Sequence, residues 1–211
     1  MSAAPFATDD IAGEYEMLAD LLEAAGPAAW DAPSLCEGWR TREVVAHVTM
    51  PARYDGPAFM AELEADRGDF TRLSNRVAAR DAALPEASLL ADLRSPVLHA
   101  WQPPGGGKPA ALVHCVIHAL DIIEAVPLPR IVPEAPLRAV LAVVAPPDAP
   151  ASNLFGVDLG AVELRADDVA WSVGAGPLVT GPAQALALVA CGRLLPPGRL
   201  GGEAGPRFSR P

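Results

Sequence analysis

The sequence predicts an α+β protein: a helical N-terminal part over about residues 1–130, followed by a small α/β unit with a short antiparallel sheet over 131–211. Three observations carry this expectation. Apolar residues recur at helical spacing from Thr8 to about Val126, and prolines at 127, 129, 133 and 136 then interrupt the chain. Beyond them Val162-Glu163-Leu164 and Val169-Ala170-Trp171-Ser172-Val173 alternate as half-buried strands do.

The first helix is expected over Thr8–Ala25. Thr8 serves as its cap, Asp9 and Asp10 suit its positive end, Ile11, Tyr15, Leu18, Leu22 and Ala25 form its apolar stripe, and Gly26-Pro27 stop it. A loop from Trp30 to Trp39 follows and packs its aromatic rings over the bundle end. A second helix starts near Thr41, carries Val44, Val45 and Val48 inward, is disturbed at Pro51 and resumes after Gly56-Pro57. Residues 69–83 and 86–101 are helical by period and separated at Pro85. The segment Gln102–Lys108 is a linker, because Lys108 is followed by Pro109 where a phosphate loop needs Ser or Thr. The next helix runs from Pro109 to about Val126. After the prolines come a helical stretch over 137–144, two strands joined by a turn at 166–168, a third strand over 177–180, and a helix from Gly181-Pro182 to Cys191 closed by Gly192. The tail from Leu194, rich in Gly and Pro, is expected to be extended or loose.

Composition excludes several classes of function. The chain has 211 residues, 51% of them hydrophobic, with a net charge of -10, which describes a soluble protein able to bury a sizeable core. An acidic chain gains nothing from counterion release on phosphate backbones, so nucleic acid is not an expected partner. The stretch 109–126 contains His114, His118, Asp121 and Glu124. An Asp alone costs roughly 3 kcal/mol at a bilayer centre, so no membrane partner is expected. The N-terminus has no basic-then-apolar signal pattern, which predicts a cytoplasmic location. Cys36, Cys115 and Cys191 are an odd set without CxxC spacing and read as reduced thiols. Nothing in the sequence specifies an oligomeric state.

The histidines are the candidate chemistry. His114 and His118 stand at i, i+4 on one helix face, close enough to share a divalent ion through their ring nitrogens. Asp121 lies within about 60° of both around the wheel. A third ligand must come from another element, and His47, beside the disturbance at Pro51, is a candidate. The competing reading is that each is an ordinary core histidine. His99, next to Trp101, is assigned to packing or capping, and Cys115 to the core.

The segment Trp30–His47, WDAPSLCEGWRTREVVAH, resembles the signature of the mycothiol-dependent maleylpyruvate isomerase family, within the DinB-like metalloenzymes. So do His118–Ile122 and the stretch Asp168–Arg193, with its Trp-Ser-Val-Gly, Gly-Pro and Gly-Arg elements. The resemblance implies a DinB-like four-helix bundle over 1–130 holding one divalent metal ion, followed by the small α/β domain. It carries His47 and His118 over as metal ligands. The position four before His118, often a carboxylate in the isomerases, is His114 here, and three neutral ligands leave the ion its full charge. The family implies a low-molecular-weight thiol cosubstrate, mycothiol or a similar one, and a small organic substrate.

Three imidazoles and a thiolate suit zinc, with nickel, iron and cobalt as alternatives. The expected function is therefore a thiol-dependent isomerase or S-transferase. The alternative is a non-catalytic ligand-binding or regulatory module that keeps the same metal site. Asp121 is expected to orient His118 or His114 from outside the ligand set. Arg193 is the expected anion contact for thiol or substrate, weighed equally against compensation of its own helix end. Arg53 and Tyr54 are candidates for the open side of the ion, but solvation after the Pro51 kink is the preferred reading. Cys36 and Cys191 have no sequence neighbour that would activate a thiol.

Overall fold

The computed structural model describes residues 8–126, 128, 132–147, 155–159 and 161–211. Prolines 127 and 129 and the side chains of Thr8 and Asp9, assigned above to a boundary and a helix cap, lie outside the described residues. Internal contacts divide the chain into two compact units: Ala7–Gly107 with Asp121–Leu128, and chiefly Lys108–Leu120 with Pro129–Pro211.

In the first unit the helices are α1 (Thr8–Ala25), α2 (Pro27–Trp30), α3 (Thr41–Val48), α4 (Met50–Arg53), α5 (Gly56–Ala65), α6 (Phe70–Asp81), α7 (Glu86–Leu93) and α8 (Pro96–Ala100). Their starts are specified by side chains. Asp55 and Asp69 accept hydrogen bonds from the Ala58 and Arg72 amides, and Glu43 Oε2 accepts from the Arg40 amide at 2.9 Å. Each such contact is worth about 1 kcal/mol. The stripe expected on α1 is buried at Ile11, Tyr15, Leu18 and Leu22, while Ala25 is exposed at the frayed end. α1 packs on α2, α7 and α8, and α3 packs on α6 and α7. The expected helix over 86–101 is broken in two: Ser95 Oγ accepts from the Val97 amide, and Pro96 opens a new helix there. Of α9 (Gly107–Ile123), Gly107 and the last turn from Asp121 belong to this unit and Lys108–Leu120 to the other.

In the second unit α10 (Glu134–Val144) and α11 (Ala183–Ala190) pack together, and α11 also covers a sheet of β1 (Glu163–Ala166), β2 (Ser172–Gly174) and β3 (Leu178–Gly181). Strand order is β2-β1-β3. The sheet is mixed, not antiparallel throughout as expected: β1 pairs antiparallel with β2 but parallel with β3. The chain turns back after β2 and passes the start of β1 to reach its far edge. That passage needs glycine, since a Cβ at Gly174 would stand 2.3 Å from the Val162 carbonyl oxygen and one at Gly176 2.6 Å from that of Ala161. Asp168, in the turn after β1, accepts from the Ala183 amide at 2.9 Å and so starts α11.

The tail is a second correction. It is packed, not loose: Leu195, Ala204 and Phe208 are buried, Thr180 pairs with Gly201, and a 3-10 turn spans Gly205–Phe208. Two apolar anchors, Leu195 and Phe208, outweigh the entropy of the glycines and prolines between them.

Candidate metal centre

The second helix is cut short by its own sequence. Thr49 Oγ1 donates back to the Val45 carbonyl at 2.6 Å and Pro51 has no amide to continue the ladder, so α3 ends at Val48. His47 sits in that last turn, 8% exposed, with the Trp39 ring tilted at 52° and 5.1 Å from it. Trp39 is held in turn by a 3.0 Å hydrogen bond from Nε1 to Asn75 Oδ1 on α6.

On α9 the rings of His114 and His118 stand edge to face, 5.0 Å apart. From Ala111 to Ile123 every residue is buried except these two, which are half-buried. Solvent therefore reaches this stretch of the helix at its histidines. One ring nitrogen from each of His47, His114 and His118 falls within 4.8 Å of the others. The last turn of α9 is pinned by the loop before α3, where the Leu35 amide donates to the Asp121 carbonyl at 2.9 Å.

Asp121 is fully buried. A carboxylate in such a place needs donors, and Cys36 Sγ lies 3.0 Å from its Oδ2. Cys36, His118 and Asp121 also form a group with ligand atoms within 4.8 Å of one another. Sequence reasoning gave Cys36 no role because its partner lies 85 residues away, and only the fold brings them together.

Other residues singled out in the sequence have partners of their own. His99 Nε2 lies 2.8 Å from the Leu93 carbonyl at the end of α7, the capping role expected of it. Cys115 is in the core and donates to the Leu112 carbonyl. Arg193 donates from Nη1 to the Cys191 carbonyl at 3.1 Å, at the C-terminal end of α11. Arg193→Met is accordingly expected to lower the melting temperature by about 1–4 °C, the effect of up to 1 kcal/mol at a helix end, with the KM for thiol unchanged. A raised KM at unchanged melting would place Arg193 against the thiol instead.

Arg53 and Tyr54 are not solvated, contrary to the preferred sequence reading. Arg53 donates to Asp81 Oδ2 (3.1 Å), Asp92 Oδ2 (2.7 Å), Thr49 Oγ1 (2.7 Å) and the Ala46 carbonyl (2.5 Å). Tyr54 Oη donates to Asp81 Oδ2 at 2.7 Å, and Arg80 reaches both Tyr54 and Asp81. The break after α3 is the cause: it leaves the Ala46 carbonyl for a side chain to satisfy, and the guanidinium that fills it then gathers the acids of α6 and α7.

The donor set fits a divalent ion. Nitrogens on one tetrahedral zinc stand about 3.4 Å apart, and the three ring nitrogens, all within 4.8 Å of one another, are grouped on that scale. Residues 11–102 match the family model of the mycothiol maleylpyruvate isomerase N-terminal domain. Over those residues the chain is similar to that family's N-terminal domain. Solved structures agree over a longer stretch. A mycothiol-dependent maleylpyruvate isomerase crystal structure is 18% identical, covers 94% of this chain and 90% of its own, and has a TM-score of 0.53. An alanine mutant of a mycothiol-dependent maleylpyruvate isomerase is 17% identical over the same shares, with a TM-score of 0.55. At these identities they show that the isomerases and this chain share a fold. No curated protein matches the sequence. Among the described residues no helix is long and apolar enough to cross a membrane.

Proposed function

We propose that the chain is a metal-dependent enzyme that uses a low-molecular-weight thiol, mycothiol or one like it, to isomerise a small unsaturated organic acid or to transfer the thiol to a small electrophile. The observation that carries this reading is the convergence of His47, His114 and His118, two of them the half-exposed residues of an otherwise buried helix stretch. The family domain over residues 11–102 and the isomerase fold support the thiol.

A zinc or similar ion held by the three imidazoles would lower the pKa of a bound thiol and so supply thiolate at neutral pH. The protein's own part is to present three neutral nitrogens and to keep them in register. His47 is fixed from the α3 side by packing against Trp39, while His114 and His118 are fixed by one rigid helix. Asp121 can accept the second ring proton of His118 and hold its tautomer. The half-exposed edge of the histidine pair leaves thiol and substrate a way in.

Protein purified without chelators or a histidine tag, given mycothiol and maleylpyruvate, distinguishes the outcomes. Conversion to the trans isomer with thiol conserved identifies an isomerase. Thiol consumed with a stable thioether formed on an added small electrophile identifies an S-transferase. Neither reaction in a protein that carries its metal overturns the proposal.

A further inference from the structure

The loop between α2 and α3 is built to aim one thiol. The Cys36 amide donates to Ser34 Oγ at 3.1 Å, Ser34 Oγ donates to the Trp39 carbonyl at 2.8 Å, and the Trp39 amide donates to the Cys36 carbonyl at 3.1 Å. Gly38, with φ 75°, supplies the left-handed residue that this tight turn requires. Cys36 is thus fixed on both sides of its Cα. The loop then grips one residue of α9 twice: the Leu35 amide holds the Asp121 carbonyl at 2.9 Å, and Cys36 Sγ lies 3.0 Å from Asp121 Oδ2.

We propose that Cys36 is a positioning residue of the metal centre, acting through Asp121 on His118. Asp121 is fully buried and, when ionised, can only accept hydrogen bonds. The thiol provides a donor from the loop side. A carboxylate oxygen of Asp121 lies within 4.8 Å of a ring nitrogen of His118 on the other side. With the thiol holding the carboxylate in place, the carboxylate is free to orient one imidazole. A partner bonded directly to a ligand, as Asp121 would be, commonly governs metal affinity by about 10–100-fold, and Cys36 stands one step behind it. This inference rests on the metal reading above and extends it to a residue that touches neither ion nor substrate.

The test compares wild type, Cys36→Ser, Cys36→Ala, Asp121→Asn and the Cys36→Ala/Asp121→Asn double variant. Zinc affinity is measured by chelator competition, and the visible absorption of the cobalt-loaded proteins is recorded. Cys36→Ala is expected to weaken zinc binding about tenfold and to shift the cobalt bands. Cys36→Ser, which keeps a donor, should stay within about threefold of wild type. The double variant should bind no more weakly than Asp121→Asn alone, because the thiol acts through that carboxylate. Unchanged affinity in Cys36→Ala, equal damage from Ser and Ala, or additive losses would each overturn the proposal. A sulfur-to-cobalt charge-transfer band in the wild type, absent from Cys36→Ala, would overturn it by making Cys36 a ligand. If wild type binds no divalent ion, the metal reading itself fails and this one with it. If wild type binds and Cys36→Ala matches it, this inference alone fails.

Discussion

His47→Ala is expected to reduce the metal content of the purified protein from about one ion per chain to near zero. Removing a ligand should cost more than the 10–100-fold in affinity typical of an outer partner, because two histidines on one helix then hold the ion alone. His114→Ala should do the same from a half-exposed position, where truncation disturbs packing less. His99→Ala is the control: its ring lies on the Leu93 carbonyl, stacks 6.1 Å from Tyr15 and is in neither group of ligand atoms found among the described residues. Elemental analysis alongside circular dichroism separates lost metal from lost fold. Full metal content in His47→Ala would remove that residue from the site.

Arg53→Met is expected to destabilise the protein by about 3–5 kcal/mol, the cost of leaving buried charges without their partner. Arg53 is 15% exposed, Asp81 7% and Asp92 22%, so water replaces the lost guanidinium poorly. Arg165→Met, across the more exposed pair with Glu163, should change stability by less than about 1 kcal/mol. The effect at Arg53 has a pH signature. Burial pushes the Asp81 carboxyl up, but hydrogen bonds from Tyr54 and Arg80 and the charge of Arg53 outweigh burial and hold it below its ordinary 3.8. A lowered folded-state value means stability that is present above pH 3.8 and lost as pH falls through that depressed value. The gap between wild type and Arg53→Met should therefore be widest near neutrality and narrow in acid. Urea denaturation at several pH values measures it, and a gap independent of pH would refute the assignment.

Local chemistry made most of the helices readable. Pro57, Pro85 and Gly192 mark starts and stops by backbone geometry. The His114/His118 pair was readable for the same reason, since i, i+4 spacing belongs to the helix itself. Properties that depend on a distant partner were not. The course of β3 to the far side of β1 is invisible in alternation, which reports faces and not neighbours. The tail looked loose because glycine and proline dominate it, whereas Leu195 and Phe208 decide its packing. Arg53 and Tyr54 looked solvated because the sequence shows the kink but not the two acids waiting on α6 and α7.

The grip of the loop on Asp121 also sets an order of events during synthesis. Cys36 and Asp121 are 85 residues apart, and α3, with His47, is translated long before the helix that bears His114 and His118. The packing of α1 on α2, α7 and α8 and of α3 on α6 and α7 joins segments upstream of residue 108, but a nascent chain has a single histidine of the set until α9 leaves the ribosome. At roughly 5–20 residues per second, that interval lasts several seconds. The full set of three imidazoles therefore exists only once α9 has been synthesised, so an ion that needs all three is bound after that helix has left the ribosome.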